Sequence, residues 1–208
     1  MASDLALRLK AARTDRGLSL RGVAAEIGVS AALISQIELG HTQPSVSTLY
    51  ALVNFFGISL DQVMGLPLTV SRVPGAATDT GAPGRAEADA LASGARLEHR
   101  ASGARPILEI GNGVRWELVA SAPLSLAEAV LVTYEPGASS SSDGSLMTHP
   151  GSENAYLVAG ELDLELEDST VKLRAGDSFS FDPARPHRFH NSGVEPASGI
   201  WLKVSGEV

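Results

Sequence analysis

The sequence predicts a multidomain protein of mixed class, with an all-α N-terminal domain and an antiparallel β-barrel at the C-terminus. Apolar residues recur at helical spacing through the first sixty or so residues, whereas from about residue 95 they alternate with polar residues. The segment between them, residues 67–94, is rich in Gly, Ala and Pro and has little periodicity, which is typical of a linker. We therefore predict one domain at 1–66 and a second at 95–208.

The charge of the chain is unevenly distributed. Its net charge is −8, yet residues 1–66 hold five Lys/Arg against five Asp/Glu, and residues 106–208 hold six against fifteen. The acidic half would repel nucleic acid, so any DNA contact has to come from the N-terminal domain. The chain has no cysteine, which excludes disulfides and thiolate metal sites. With neither a signal peptide nor a long apolar run evident, we expect a cytoplasmic protein with no membrane partner.

A helix-turn-helix is predicted at residues 18–40, LSLRGVAAEIGVSAALISQIELG. Ser19 is positioned to cap a short helix, Gly28 to end it in the left-handed conformation, and Ser30 to cap the next helix. Two short helices joined in this way cross steeply and leave the front of the second one exposed. This geometry allows the second helix to enter the major groove of DNA.

These residues resemble the phage-repressor-like (Cro/xenobiotic-response-element) family, over about residues 5–64. The resemblance implies a DNA-binding face and leaves Ile34 and Ile37 in the core. The residues of that face are Ser30, Ala31, Ala32, Ser35 and Gln36. A glutamine can pair with adenine, and alanine methyl groups can pack on thymine. Phosphate contacts are expected from Arg21, Ser45, Ser47 and the amides at helix starts.

Two alternatives accompany this interpretation. Arg13 is a further candidate DNA contact, but the resemblance implies that it pairs with Glu38 instead. The helical domain could also serve dimerisation alone, although an exposed front of the second helix would then have no purpose.

The sequence pattern of the C-terminal half predicts short strands separated by turns. Residues 161–167, ELDLELE, alternate strictly. We predict a strand whose leucines face inward and whose acidic residues form a solvated face, in preference to a polyamine-binding stripe. The serine-rich run at 138–143 is predicted to be a mobile loop near the mouth of the barrel.

Residues 144–160 (GSLMTHPGSENAYLVAG) and 176–191 (GDSFSFDPARPHRFHN) resemble the two signature motifs of the cupin family. The resemblance covers about residues 105–204 and implies a jelly-roll barrel. The matching positions are His149, Glu153 and Gly160 in the first motif, and Gly176, His187 and Asn191 in the second. Three positions depart from the pattern: Met147 stands where the family's first metal histidine belongs, Asp182 replaces a proline, and Ala184 replaces a glycine.

The spacing and the chemical type of these candidate ligands are also consistent with a metal site. His149 and Glu153 are four residues apart, so both can face the same side of an extended strand. With His187 from another strand they would form a set of two histidines and one carboxylate, which suits one divalent metal: iron(II), manganese or zinc. Because one family ligand is absent, a metal-free pocket in which the three groups hydrogen-bond an effector remains an equal alternative.

Other pocket residues are assigned by position. Met147, Tyr156 and Phe181 are predicted to line the effector pocket. His190 is predicted to face the opposite side of its strand from His187, and both His190 and His99 are interpreted as incidental.

The domain order resembles that of bacterial regulators in which a cupin barrel binds a metabolite and shifts a pair of DNA-binding domains. We therefore predict a non-enzymatic, homodimeric transcriptional regulator that binds operator DNA and a small-molecule effector. The alternative is an iron oxygenase, because a phosphonate epoxidase family joins a helix-turn-helix-like domain to a cupin with the set His-x3-Glu…His. The intact Gly-Val-Ser turn at 28–30 and the Ser-Gln-Ile-Glu run at 35–38 favour the regulator.

Overall fold

The computed structural model describes residues 4–58, 60–64, 101–121 and 127–204. The predicted linker at 67–94 and His99 lie outside these residues, so the domain boundaries stay a prediction. Helices occupy the N-terminal part of the described chain and strands the C-terminal part.

The N-terminal domain is a bundle of short helices, as predicted. They are α1 (Asp4–Thr14), α2 (Leu20–Glu26), α3 (Ala31–Glu38), α4 (Val46–Phe56) and α5 (Leu60–Met64). Their shared core consists of Leu5, Leu9, Val23, Ile34, Ile37, Leu49, Leu52 and Phe56, all buried. Burying one such side chain contributes about 1.5–3 kcal/mol. Among the described residues, no single helix is long and apolar enough to cross a membrane.

Serine hydroxyl groups cap the N-termini of three of these helices, α2, α3 and α4. Ser19 Oγ accepts from the Gly22 amide at 3.0 Å, and Ser30 Oγ accepts from the Leu33 amide at 3.1 Å. Gly28 adopts φ +72° between the two helices, and α2 and α3 are bent by 117° at this break. The predicted helix-turn-helix and its caps are confirmed.

Arg13 and Glu38 form a two-point ion pair between α1 and α3. Arg13 Nε donates to Glu38 Oε1 at 2.6 Å and Nη2 donates to Oε2 at 2.7 Å. Nη1 of the same arginine donates to the Leu18 carbonyl at 2.8 Å. These hydrogen bonds to the carboxylate raise the pKa of Arg13. The pairing implied for Arg13 is confirmed, and this arginine belongs to the scaffold of the domain.

The C-terminal domain consists of two antiparallel sheets around one apolar core. The strands are β1 (Ile107–Ile110), β2 (Val114–Ser121), β3 (Ala127–Tyr134), β4 (Glu153–Ala159), β5 (Glu161–Leu166), β6 (Thr170–Arg174), β7 (Ser178–Phe181), β8 (His187–His190) and β9 (Ala197–Val204). One sheet has the order β1-β2-β3-β9-β4-β7, and the other has the order β6-β5-β8. This architecture confirms the predicted antiparallel barrel of cupin type.

The acidic residues of β5 lie on its outer side. Leu162 and Leu164 are buried, while Asp163 pairs with Lys172 at 2.9 Å and Glu161 pairs with Arg174 at 3.3 Å. The leucines thus face inward and the acidic residues outward, as predicted, and neighbouring cations neutralise these carboxylates.

The serine-rich run at 138–143 is packed, and the expectation of a mobile loop is wrong. Ser140 and Ser141 are buried. The Phe189 amide donates to Ser140 Oγ at 3.0 Å, and the Ser140 amide donates to the Phe189 carbonyl at 3.0 Å. Strand β8 thus satisfies the polar groups of Ser140, and Asp143 accepts from the Ser141 hydroxyl at 2.8 Å, which explains why these hydroxyl residues can lie in the interior.

The helical domain and the barrel meet at the start of α4. The Ser47 amide donates to the Ser140 carbonyl at 3.0 Å, and the Gly111 amide donates to the Pro44 carbonyl at 2.7 Å. A Cβ at Gly111 would lie 2.9 Å from the carbonyl oxygen of Gln43, so only glycine permits this approach.

Candidate functional site

Two histidines and a glutamate converge inside the barrel, as the sequence predicts. His149 lies in the segment before β4, Glu153 begins β4, and His187 begins β8. One ligand atom from each lies within 4.8 Å of the other two. The His149 Nε2 to Glu153 Oε2 distance is 2.9 Å and the His187 Nε2 to Glu153 Oε2 distance is 3.6 Å. We call these three residues the triad.

Each member of the triad is oriented by a second hydrogen bond. His149 Nδ1 lies 3.1 Å from the Pro150 carbonyl, and His187 Nδ1 lies 2.9 Å from the Arg185 carbonyl. A carbonyl can only accept, so each Nδ1 donates, and each Nε2 is the ring atom turned toward Glu153. Trp201 Nε1 donates to Glu153 Oε1 at 2.8 Å, which leaves Oε2 toward the histidines. Trp201 was not predicted as a site residue.

The electrostatics of the triad suit a bound cation. His187 is fully buried and its Nε2 has no hydrogen-bond partner in the described part of the chain. Burial lowers the pKa of His187, which keeps the imidazole neutral and able to act as a ligand. His149 Nε2 lies 2.9 Å from a carboxylate oxygen of Glu153, a distance at which a proton or a metal ion can bridge the two atoms. The residues therefore fit a divalent metal.

The walls of the site only partly match the sequence prediction. Met147 lines the same cavity as Glu153, and Phe181 contacts His187 edge-on with ring centroids 4.9 Å apart. Tyr156, in contrast, is half exposed on the outer face of β4. Its placement in the pocket is wrong, because Tyr156 lies three residues after Glu153 and side chains alternate along a strand.

The site is also closed by a residue of the helical domain that the sequence did not single out. The ring of Tyr50, on α4, stacks on the ring of His149 with centroids 4.2 Å apart and planes 1° apart. Burial, together with the charge of Glu153, raises the pKa of Tyr50 well above its ordinary value. No local pattern in the sequence identifies this contact, because it joins two domains.

The front of α3 is the candidate DNA interface. Ser30, Ala32 and Gln36 are exposed and Ala31 and Ser35 are partly exposed, whereas Ile34 and Ile37 are buried in the core. Gln36 Oε1 accepts from His41 Nδ1 at 3.0 Å, which orients the glutamine amide. Arg21 is exposed on α2.

The two serines predicted to contact phosphate lie elsewhere in this arrangement. Ser45 is buried and caps α4 by accepting from the Thr48 amide at 3.2 Å. The backbone amide of Ser47 donates a hydrogen bond to the Ser140 carbonyl of the barrel. The Ser45 hydroxyl and the Ser47 amide thus already have hydrogen-bond partners while α4 rests on the barrel, and their contact with phosphate stays a prediction.

Comparison with known proteins separates the chain into the same two parts. Residues 9–63 match the helix-turn-helix family model and residues 130–203 match the cupin domain model. The chain is 26% identical over 189 residues to the HTH-type transcriptional regulator PuuR of Escherichia coli (strain K12), covering 90% of this chain and 87% of that protein. The chain therefore combines a helix-turn-helix domain with a cupin domain, and it resembles a transcriptional regulator over most of its length.

Further similarities concern the fold of both domains and the sequence of the helical domain. The helix-turn-helix regulator shares its fold over both domains with an HTH_3 family transcriptional regulator from Vibrio cholerae, at a TM-score of 0.61, 18% identity and coverage of 98% and 96% of the two chains. It is 35% identical over 57 residues to the HTH-type transcriptional regulator DdrOP3 of Deinococcus deserti, covering 27% of this chain and 44% of that protein.

Proposed function

We propose that this regulator binds operator DNA in the cytoplasm as a homodimer through the front of α3, and that its cupin domain binds a small-molecule effector. The observation that carries the proposal is the division of α3 into a buried face and an exposed face of short polar and methyl groups. Short side chains let the helix approach the base edges closely. A single module reads few base pairs, so usable affinity calls for two half-sites and hence a dimer.

In the same proposal, His149, Glu153 and His187 hold one divalent metal in the cupin domain. Such a metal would offer open coordination positions to an effector that carries oxygen or nitrogen ligands. The regulator is not an enzyme in this account, because the triad serves to recognise the effector. Iron-dependent oxygen consumption with candidate phosphonate substrates would instead support the epoxidase alternative.

The DNA interface is tested by two substitutions with different expected signatures. Gln36→Ala should weaken binding to the cognate operator by about 1–3 kcal/mol and relax base preference, because it removes a base contact. Arg21→Ala should weaken binding to all sequences and reduce the salt dependence by about one unit of slope, because it removes a phosphate contact. Fluorescence anisotropy with operator and scrambled duplexes over a range of salt concentrations measures both.

Asn54→Ala provides the matched control, since Asn54 is exposed near the opposite end of α4 and plays no part in the proposed interface. Wild-type affinity in both Gln36→Ala and Arg21→Ala would show that the interface lies elsewhere.

A further inference from the structure

Helix α4 inserts one of its faces into the mouth of the barrel. Val46 and Tyr50 lie one helical turn apart, and both line the cavity that contains Met147 and Glu153. Besides stacking on His149, the Tyr50 ring contacts Trp116 edge-on with centroids 5.8 Å apart. The DNA-binding domain thus supplies part of the wall of the cupin site.

The space left beside the triad is too small for a metabolite. The enclosed free volume is about 10 Å³, which accommodates about one water molecule. Sites for small molecules typically measure about 300–1,000 Å³. The lining residues other than Val46 and Tyr50 are buried residues of the barrel itself. The element that can make room is therefore α4, which belongs to a different domain from the rest of the wall.

We propose that Tyr50 closes the cupin site, and that both an effector larger than a water molecule and operator DNA require α4 to leave the barrel. This inference rests on the proposed function, and it specifies how the two binding activities are coupled. Effector and DNA then favour the same undocked state, so each increases the affinity for the other.

DNA binding requires undocking because of the contacts that α4 makes with the barrel. The Ser47 amide, which a phosphate could otherwise engage at the start of α4, is bound to the Ser140 carbonyl. Ser45 is only 4% exposed. Docking therefore occupies the Ser47 amide, one of the backbone groups at the start of α4 on which a phosphate contact was predicted.

The negative charge of the strand domain also opposes DNA binding while the domains are docked. The strand domain carries an excess of acidic residues, six Lys/Arg against fifteen Asp/Glu over residues 106–208. The loop that contacts α4 itself contains Asp143, whose hydrogen bonds from Ser145 and Ser141 lower its pKa to about 2. This carboxylate is ionised at any physiological pH. A docked barrel therefore places the loop that carries this negative charge against the start of α4, where phosphate contacts were predicted.

A reversible crosslink tests the coupling. The chain has no cysteine, so the double variant Ser47→Cys/Ser140→Cys can form a single disulfide across the contact. The backbone hydrogen bond between these positions, at 3.0 Å, brings their Cα atoms within about 7 Å, the upper limit for a disulfide. With a duplex from upstream of its own gene, the oxidised protein should bind at least about tenfold more weakly than the same protein after reduction, within the usual range of allosteric coupling. Equal DNA binding by the two forms would overturn the proposal.

Tryptophan quenching tests the closure without DNA. Both tryptophans of the chain, Trp116 and Trp201, line the cavity, so acrylamide quenching reports its accessibility. Tyr50→Ala should increase quenching and tighten DNA binding, whereas Tyr50→Phe retains the stacked ring and should restore closure. Asn54→Ala, on the same helix, should match wild type. Unchanged quenching in Tyr50→Ala would overturn the role of Tyr50.

The crosslinking and quenching experiments together distinguish a failure of this proposal from a failure of the proposed function. Failure of wild type and the reduced double variant to bind the duplex would overturn DNA binding itself. The quenching comparison would still decide whether Tyr50 closes the site.

Discussion

The Met147→His variant is expected to bind zinc or manganese at least about tenfold more tightly than wild type, equivalent to about 1.4 kcal/mol. Met147 lines the same cavity as Glu153, and its backbone pairs with His187 through hydrogen bonds of 2.8 and 3.0 Å. An imidazole on this side chain would add a fourth ligand to the triad. A thioether is a poor ligand for hard divalent ions, so the gain is large. Isothermal titration of the metal-free protein measures it.

Met147→Leu is the matched control, because leucine keeps the apolar volume and adds no ligand. Its metal affinity should equal that of wild type. If neither wild type nor Met147→His binds metal at micromolar concentration, His149, Glu153 and His187 act as polar contacts for an effector and hold no ion.

Gly160→Ala is expected to destabilise the barrel by more than about 3 kcal/mol, combining backbone strain with steric overlap. Gly160 lies between β4 and β5 with φ +75°, and a Cβ there would come within 2.5 Å of the Pro196 carbonyl oxygen and 2.7 Å of the Ala197 Cα. Both neighbours are backbone atoms, so neither can rotate away. Urea denaturation followed by circular dichroism measures the free energy of unfolding.

Gly137→Ala separates the two contributions. Gly137 also has a positive φ, +78°, but a Cβ there would meet no atom within 4 Å. It should therefore cost only the strain of the left-handed conformation, about 1–2 kcal/mol. An equal loss in the two variants would show that the close approach at Gly160 is relieved by movement of the chain.

Features that depend on neighbouring residues could be predicted from the sequence. Ser19 and Ser30 cap helices because a hydroxyl satisfies amides two or three residues later, whatever the rest of the chain does. His149 and Glu153 do converge as expected, but β4 begins only at Glu153, so the bend at 150–151 brings them together and not the parity of a strand. Within β4, parity shows where the prediction failed, since Tyr156 cannot share a face with Glu153 three residues earlier.

Features that depend on contacts between distant parts of the chain could not be predicted. The burial of Ser140 depends on the edge of β8 and the position of α4, and the stacking of Tyr50 on His149 depends on how the two domains dock. Trp201 reaches Glu153 from β9, 48 residues away along the chain. Short apolar and hydroxyl patterns give no information about such partners.

The central claim is that this protein recognises a specific DNA sequence, and one binding measurement tests it most directly. Wild-type protein is titrated by fluorescence anisotropy at physiological salt against a duplex from upstream of its own gene and against a scrambled duplex of the same composition. The account predicts a preference of at least about a thousandfold for the native duplex, the lower end of the range for specific DNA-binding proteins. Equal affinity for the two duplexes would contradict it.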